Sequence, residues 1–304
     1  MGSAVDTTLQ SFASHVHRTS SASTSRKYEQ AVRKFLKTLR FNNITRYEAL
    51  PRNVLQLYAD ALIAQSYAPA SIYVYLAGVR RYLSWVRNQG VKLPELAEPD
   101  LPKVPHRIRD VLSPDAMAVY FEQADELLPE PSRTAALLLP CTGLRAAEMA
   151  ALPLTALHKV VVPLKDGTTK NTYALRVIGK GNKERSVPIL DEGAEQLLLY
   201  LSGWRRKSGG PWVFPGMISK ANKNGSKHMS VRSLRDAVAR VREPLGMEVT
   251  PHTMRRTYLT SLWRMGVDPA AIAKIAGHAN IQTLFKHYLM LDEHDVVSAV
   301  HSRI

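Results

Sequence analysis

Between Gly90 and Pro105 the chain carries Pro94, Pro99, Pro102 and Pro105. Proline has no backbone N–H and steers the residue before it away from helical angles, so four of them in one short stretch interrupt helix and strand alike. The chain is therefore read in three parts: an N-terminal domain over 1–90, a linker over 91–106, and a second domain over 107–304. At 304 residues the sequence is long enough for two hydrophobic cores.

The first part reads as all-helical, with four helices near Thr8–His17, Ser25–Arg40, Arg52–Ala64 and Ala70–Arg87, and the Ser/Thr run at 19–25 as an interhelical loop. In the second of these helices Tyr28, Val32, Phe35, Leu36 and Leu39 share one apolar arc at helical period. In the fourth, Ile72, Leu76, Val79, Leu83 and Val86 do the same. Opposite the first arc stand Arg26, Lys27, Arg33, Lys34, Lys37 and Arg40, a basic face suited either to a phosphate backbone or to solvent. Arg80, Arg81 and Arg87 near the end of the fourth helix suit its dipole as well as a nucleic-acid contact. This domain holds twelve Lys/Arg against four Asp/Glu, and the whole chain carries a formal charge of +15, which points to a polyanionic partner.

In the second domain Ser113 and Pro114 mark a helix start as N-cap and first-turn proline. The segment from His158 to Ile189 departs from the helical pattern. β-Branched residues cluster at Val160–Val162, Tyr173–Ile178 and Val187–Ile189, with turn signals at Asp166-Gly167 and at Gly179-Lys180-Gly181-Asn182-Lys183, predicting a small antiparallel three-stranded sheet. The predicted fold class is thus mainly α, a two-domain clamp in which an N-terminal four-helix domain is followed by a mixed α+β domain. The single cysteine, Cys141, rules out an intramolecular disulfide and a cysteine-based zinc cluster and reads as a small buried residue. No apolar run is long enough to span a membrane and the N-terminus lacks a signal-peptide layout, so a soluble, intracellular protein is expected.

Polar motifs punctuate the second domain. In Thr142-Gly143-Leu144-Arg145-Ala146-Ala147-Glu148, a glycine turn opens a helix with Glu148 placed to hold the Arg145 guanidinium. In Thr250-Pro251-His252-Thr253-Met254-Arg255, His252 and Arg255 share one helix face. Asp268-Pro269 opens a short helix that stops at Gly277, with His278 just beyond and Tyr288 ten positions later. Each motif alone is compatible with an ordinary capped helix or surface pair. Metal-independent cleavage of a phosphodiester requires cations for the non-bridging oxygens, a nucleophile and a proton donor, and two separated arginines beside histidines would satisfy the first of these.

These motifs, in this order, resemble the tyrosine recombinase (phage integrase) family, with Xer-type and small mobile-element integrases most similar. The resemblance covers almost the whole chain and rests on the Thr-Gly-Leu-Arg-x-x-Glu box, the hairpin Val-Ile-Gly-Lys-Gly-Asn-Lys-Glu-Arg ending at Arg185, His252-x-x-Arg255, and Gly277-His278 twenty-three positions after Arg255. It implies a core-binding domain, a linker and a catalytic domain. It also implies that Arg145 and Arg255 grip the scissile phosphate, Lys180 protonates the departing 5′ oxygen, His252 assists proton transfer, His278 hydrogen-bonds the phosphate and Tyr288 attacks. Glu148 is the supporting residue, and Arg26, Lys27, Arg33, Lys34, Lys37, Arg40, Arg80 and Arg81 are the DNA-binding candidates.

The resemblance further implies no cofactor and no metal, a double-stranded recombination site as partner, a homotetramer on two sites exchanging strands through a Holliday junction, and a cytoplasmic, nucleoid-associated protein. A type IB topoisomerase, a telomere resolvase or a non-catalytic DNA-binding relative would use the same frame. Two departures stand out. Many members place the tyrosine nine residues after the histidine, whereas here that position is His287 and Tyr288 follows. Arg145 and Lys180 are also separated by about ten residues more than in compact members, which the hairpin tip at 165–171 fills and which either reaches DNA or a neighbour or is a neutral extension. Tyr258 is the other nearby tyrosine, read as core, and Lys183 the other candidate donor. The tail carries an apolar stripe, Val296, Val297 and Val300, which would dock on a neighbouring protomer or on its own domain.

Overall fold

The computed structural model describes residues 2–105, 111–164, 166–179, 183–217, 227–241, 245–246, 248–277 and 282, with residues 2–7 by backbone only. The chain divides into two compact units, Met1–Arg107 and Ile108–Ile304. No helix among the described residues is long and apolar enough to cross a membrane.

The first unit contains α1 (Gly2–Thr19), α2 (Ala22–Phe41), α3 (Val54–Ala64) and α4 (Pro69–Asn88), with a single 3₁₀ turn at Tyr47–Ala49. The Ser/Thr run expected to form a loop over 19–25 is mostly helix. Ser21 caps α2 by accepting a hydrogen bond from the Thr24 N–H at 3.3 Å, so only Ser20 and Ser21 separate α1 from α2. Small hydroxyl residues serve helix starts as well as loops, and here the cap prevails. The apolar arcs meet in one core: Phe12 and Val16 of α1, Val32 and Phe35 of α2, Tyr58 and Leu62 of α3, and Ile72, Leu76 and Val79 of α4 are all buried. Each of these large side chains contributes about 1.5–3 kcal/mol by leaving water. The Tyr58 hydroxyl donates to the Ala31 carbonyl at 2.8 Å, so its burial leaves no polar atom unsatisfied.

The proline-rich stretch has no helix or strand over residues 91–105. It is nonetheless laid against the first unit: Val91, Leu93, Leu96 and Leu101 pack on its core, and the Ala97 N–H donates to the Arg52 carbonyl at 2.8 Å. The Asp100 N–H donates to Gln56 Oε1 at 2.7 Å, and Arg80 pairs with Glu98.

The second unit begins with α5 (Pro114–Leu127), capped by Ser113, and continues into α6 (Ser132–Thr142). Every residue of α6 from Thr134 to Thr142 is buried, as an interior helix apolar on all sides must be. Short α7 (Ala146–Ala150) leads into a sheet of β1 (Leu157–Pro163), β2 (Thr169–Ile178) and β3 (Glu184–Pro188), antiparallel and in the order β1-β2-β3. β1 and β2 are longer than their β-branched clusters because ladder pairing extends over polar positions: Thr169 to Thr172 pair with Pro163 to Val160. β3 pairs only with Ala174–Ile178, so the outer part of the β1-β2 hairpin projects beyond it. In β3 alternate residues are buried, which places Arg185 and Val187 together on the core face. The described remainder contains α8 (Asp191–Ser202), a 3₁₀ turn at Arg205–Lys207, α9 (Val231–Arg240), α10 (Pro251–Arg264) and α11 (Pro269–Ala276).

Candidate active site

The site is built where α6, α7, β3, α10 and α11 come together. α6 ends at Thr142 and Gly143 closes it with left-handed angles, φ 59°, its N–H donating to the Leu139 carbonyl at 2.9 Å. The chain then turns through buried Leu144, and Arg145 becomes the N-cap of α7. Glu148 accepts both from the Arg145 backbone N–H, at 2.9 Å, and from its Nη1, at 2.8 Å. The capping interaction thus fixes the residue that the salt bridge uses.

Glu148 has a second cation. Arg185 of β3 donates to it through both terminal nitrogens, Nη1 to Oε1 at 3.0 Å and Nη2 to Oε2 at 2.8 Å. The two side chains are only 7% and 8% exposed, whereas Arg145 is 37% exposed. Burial alone would push the Glu148 carboxyl up. The hydrogen bonds from Arg185 and from the Arg145 backbone, with the charges of both guanidinium groups, outweigh that and hold it below the ordinary carboxylate range.

α10 starts at Thr250, which accepts from the Thr253 N–H at 3.1 Å, with Pro251 in the first turn. This places His252 at the helix start, exposed, and Arg255 one turn in, 1% exposed. Arg255 donates through Nη1 to the Gly143 carbonyl at 2.6 Å and through Nη2 to the Ala276 carbonyl. Its charge therefore sits against the carboxyl ends of two helices, α6 and α11, where the orphan carbonyls and the helix dipoles favour a cation.

α11, capped by Asp268 at its start, closes at Gly277. Its last carbonyls are shared among three arginines: Ile275 accepts from Arg185 Nε at 2.8 Å, Ala276 from Arg255, and Gly277 from Arg145 Nη2 at 3.4 Å. Three guanidinium groups and one carboxylate thus meet at the end of the helix that leads into His278. The surplus charge is positive and only Arg145 opens substantially to solvent, an arrangement able to hold an oxyanion. Among the described residues no group of three His, Cys, Asp or Glu is arranged to hold a metal ion.

Arg145, Glu148 and Arg255 are thus assembled in one place, with His252 at the start of the helix carrying Arg255. Lys180, His278 and Tyr288 lie outside the described residues, as do Lys165 of the hairpin tip and Val296, Val297 and Val300 of the tail. The described ends of the Lys180 segment are joined, Gly179 N–H to the Lys183 carbonyl at 2.8 Å, and Lys183 is exposed. Tyr258 is buried in the core with its hydroxyl donating to the Pro188 carbonyl at 2.9 Å, and burial drives its pKa upward. Cys141 is a free, buried thiol pushed up to about 12 by burial.

Arg185 carries no role in the sequence reading although it ends the hairpin motif. Its signal was present: in a strand alternating between faces, an arginine in step with Val187 must be buried, and a buried cation requires a counter-charge.

Among the basic residues of the first unit, several are engaged. Arg33 is paired with Glu29 at 2.7 Å, Lys34 donates to Gln65 at 3.2 Å and lies over the Tyr67 ring, Arg26 Nε donates to the Ala22 carbonyl, and Arg80 is paired with Glu98. Lys27, Lys37, Arg40 and Arg81 are exposed and form no ion pair among the described residues.

Comparison with known proteins covers both units. The family model described as the phage integrase family matches residues 111–294, and that described as the phage integrase N-terminal SAM-like domain matches residues 9–90. The chain is 28% identical over 243 residues to a tyrosine recombinase XerD of Lacticaseibacillus casei, covering 77% of this chain and 76% of that one. It is 26% identical over 291 residues to the tyrosine recombinase XerD of Listeria innocua serovar 6a, covering 93% and 94%. Among solved structures, the XerH site-specific recombinase bound to a palindromic difH substrate matches with a TM-score of 0.68 at 18% identity, over 91% of this chain and 78% of that one. A lambda integrase dimer bound to a core site matches with a TM-score of 0.66 at 14% identity, over 95% and 97%. At these identities the structural likenesses speak to the fold.

Proposed function

The chain belongs to the phage integrase family and is a tyrosine site-specific recombinase, and on that premise we propose how its residues divide the work on duplex DNA. The observation that carries the reading is the convergence of Arg145, held by Glu148, and Arg255 on the carbonyls of Gly277 and Ala276 at the end of α11. Arg145, partly open to solvent and held by Glu148, takes the non-bridging oxygens of the scissile phosphate. Arg255 lies behind it and adds its charge through a medium of low dielectric, meeting the phosphate itself if DNA binding shifts its carbonyl contacts. His278 donates a hydrogen bond to the same phosphate.

The Tyr288 oxygen attacks phosphorus, forming a 3′-phosphotyrosyl bond as the bond to the 5′ oxygen breaks. Lys180 gives that oxygen its proton and His252 assists in proton transfer. An ordinary tyrosine ionises near pH 10, so the cationic surroundings lower the cost of its deprotonation. Rejoining reverses the order: a 5′ hydroxyl attacks the phosphotyrosine and frees Tyr288. The phosphodiester energy is held in the covalent link, so the reaction runs without metal or nucleotide.

Residues 1–90 form the core-binding domain in this proposal, 91–106 the linker and 107–304 the catalytic domain. Lys27, Lys37, Arg40 and Arg81, with the paired Arg26, Arg33, Lys34 and Arg80 beside them, face the phosphate backbone. Four protomers act on two sites and exchange strands through a Holliday junction, in the cytoplasm at the nucleoid.

The test is selection of cleaved sites from a randomised duplex library, followed by a nicked suicide substrate built on the recovered sequence. Wild type should accumulate covalent protein–DNA complex in the presence of EDTA, and Tyr288→Phe should not. Covalent complex in the Tyr288→Phe variant would overturn the nucleophile, loss in EDTA would overturn metal independence, and relaxation of plasmids lacking the site would point to a topoisomerase.

A further inference from the structure

We propose that Arg185 is a positioning residue for this reaction, holding Glu148 and the carboxyl end of α11 so that the Arg145 guanidinium is presented in a fixed orientation to the scissile phosphate. The proposal rests on the recombinase reading above.

The geometry behind it is a single guanidinium used on three sides. Its two terminal nitrogens span both oxygens of Glu148, at 3.0 and 2.8 Å, and its Nε donates to the Ile275 carbonyl at 2.8 Å. Through Glu148 it reaches Arg145, whose backbone N–H and Nη1 both bind the same carboxylate. Through Ile275 it reaches the last turn of α11, which also receives Arg255 at Ala276 and ends there, two positions before His278. On its third side it is walled by glycines. A Cβ added at Gly179, the residue before Lys180, would lie 2.9 Å from Arg185 Nη1, and one at Gly277 would lie 3.3 Å from its Cδ and Nε. Gly179 and Gly277, the described residues that precede Lys180 and His278, thus both lie against Arg185.

A bidentate arginine suits this place better than lysine. Its planar fork fixes the carboxylate in orientation as well as position, and a third N–H remains in the same plane for the carbonyl. Being only 7% exposed, Arg185 does not present its own charge to DNA as Arg145 does. Its effect on the chemistry passes through the groups that it holds.

Single-turnover cleavage of the selected suicide substrate by saturating enzyme separates this role from a merely structural one. Arg185→Met and Arg185→Lys should each cleave about 100-fold more slowly, the scale of a misplacement near 1 Å, while DNA affinity and the melting temperature of Arg185→Lys stay close to wild type. In Arg185→Met, Glu148 keeps only Arg145 against its burial, so the acid limb of the cleavage rate should move to higher pH. Adding Glu148→Gln should remove that shift and cost no further rate, because the two residues act as one unit. Should Arg185→Met fail to fold, Arg185→Lys decides alone, since lysine keeps the charge and loses the fork. A folded Arg185→Lys that cleaves at the wild-type rate, additive losses in the double variant, or a loss confined to DNA affinity would overturn the proposal while leaving the recombinase reading intact. Absence of covalent complex with wild type itself would overturn both.

Discussion

A methyl group on Gly143 is the smallest change that should break the site from inside. Gly143 holds φ at 59°, a region that costs an L-residue about 1–2 kcal/mol. The added Cβ would also lie 2.3 Å from Tyr258 Cδ1, far inside van der Waals contact. The ring has little room to retreat, because Tyr258 is fully buried and its hydroxyl is bonded to the Pro188 carbonyl. Overpacking of that kind costs about 1–3 kcal/mol, so Gly143→Ala should lose roughly 2–5 kcal/mol in all. In a unit of this size each kcal/mol lowers the midpoint by about 2–4 °C, giving a fall on the order of 4–20 °C in calorimetry. Gly266→Ala is the control: φ is 79° there with nothing within 4 Å of the added Cβ, so it carries the backbone cost alone. The Gly143 carbonyl accepts from Arg255, so cleavage well below the midpoint should fall as well. If Gly143→Ala is no more destabilising than Gly266→Ala, the reasoning about Tyr258 is wrong.

Glu148 is held below its ordinary pKa in the folded chain, so its contribution to stability is fully present above about 4.5 and is lost as pH falls through the lower folded value; acid titration of the midpoint should show that loss and Glu148→Gln should lack it. Replacing Lys27, Lys37 and Arg40 together with glutamine should weaken DNA binding across sequences and reduce the salt slope of log K by roughly 2–3, which filter binding over a range of salt would reveal and an unchanged slope would refute. Cys141, buried with its pKa pushed up to about 12, should resist thiol reagents in the native protein and react on unfolding, and rapid native labelling would contradict its placement.

Much of the helical organisation was legible because periodicity reports burial directly. The arcs of Val32, Phe35, Leu36 and Leu39, and of Ile72, Leu76, Val79, Leu83 and Val86, are buried as their spacing requires. The three-stranded antiparallel sheet follows from its β-branched clusters and turn residues, whereas its strand lengths do not, since ladder pairing recruits polar positions such as Thr169 to Thr172. The Ser/Thr run before α2 was misread because the same hydroxyls that favour loops also cap helices. The proline-rich stretch was legible as irregular, but its attachment to the first unit through Ala97, Glu98 and Asp100 depends on partners distant in sequence.

The same division runs through the site. Local pattern was enough to place Arg145 at a turn, Glu148 within reach of it, and His252 and Arg255 in one helix start, since capping and i,i+3 geometry are properties of a few consecutive residues. That Arg185 completes Glu148, that Arg255 is sheathed by the carbonyls of Gly143 and Ala276, and that three arginines share the end of α11 were decided only by the tertiary structure. Those contacts join residues from 21 to 132 positions apart, and a buried charge finds its partner by packing, which no local period in the sequence records.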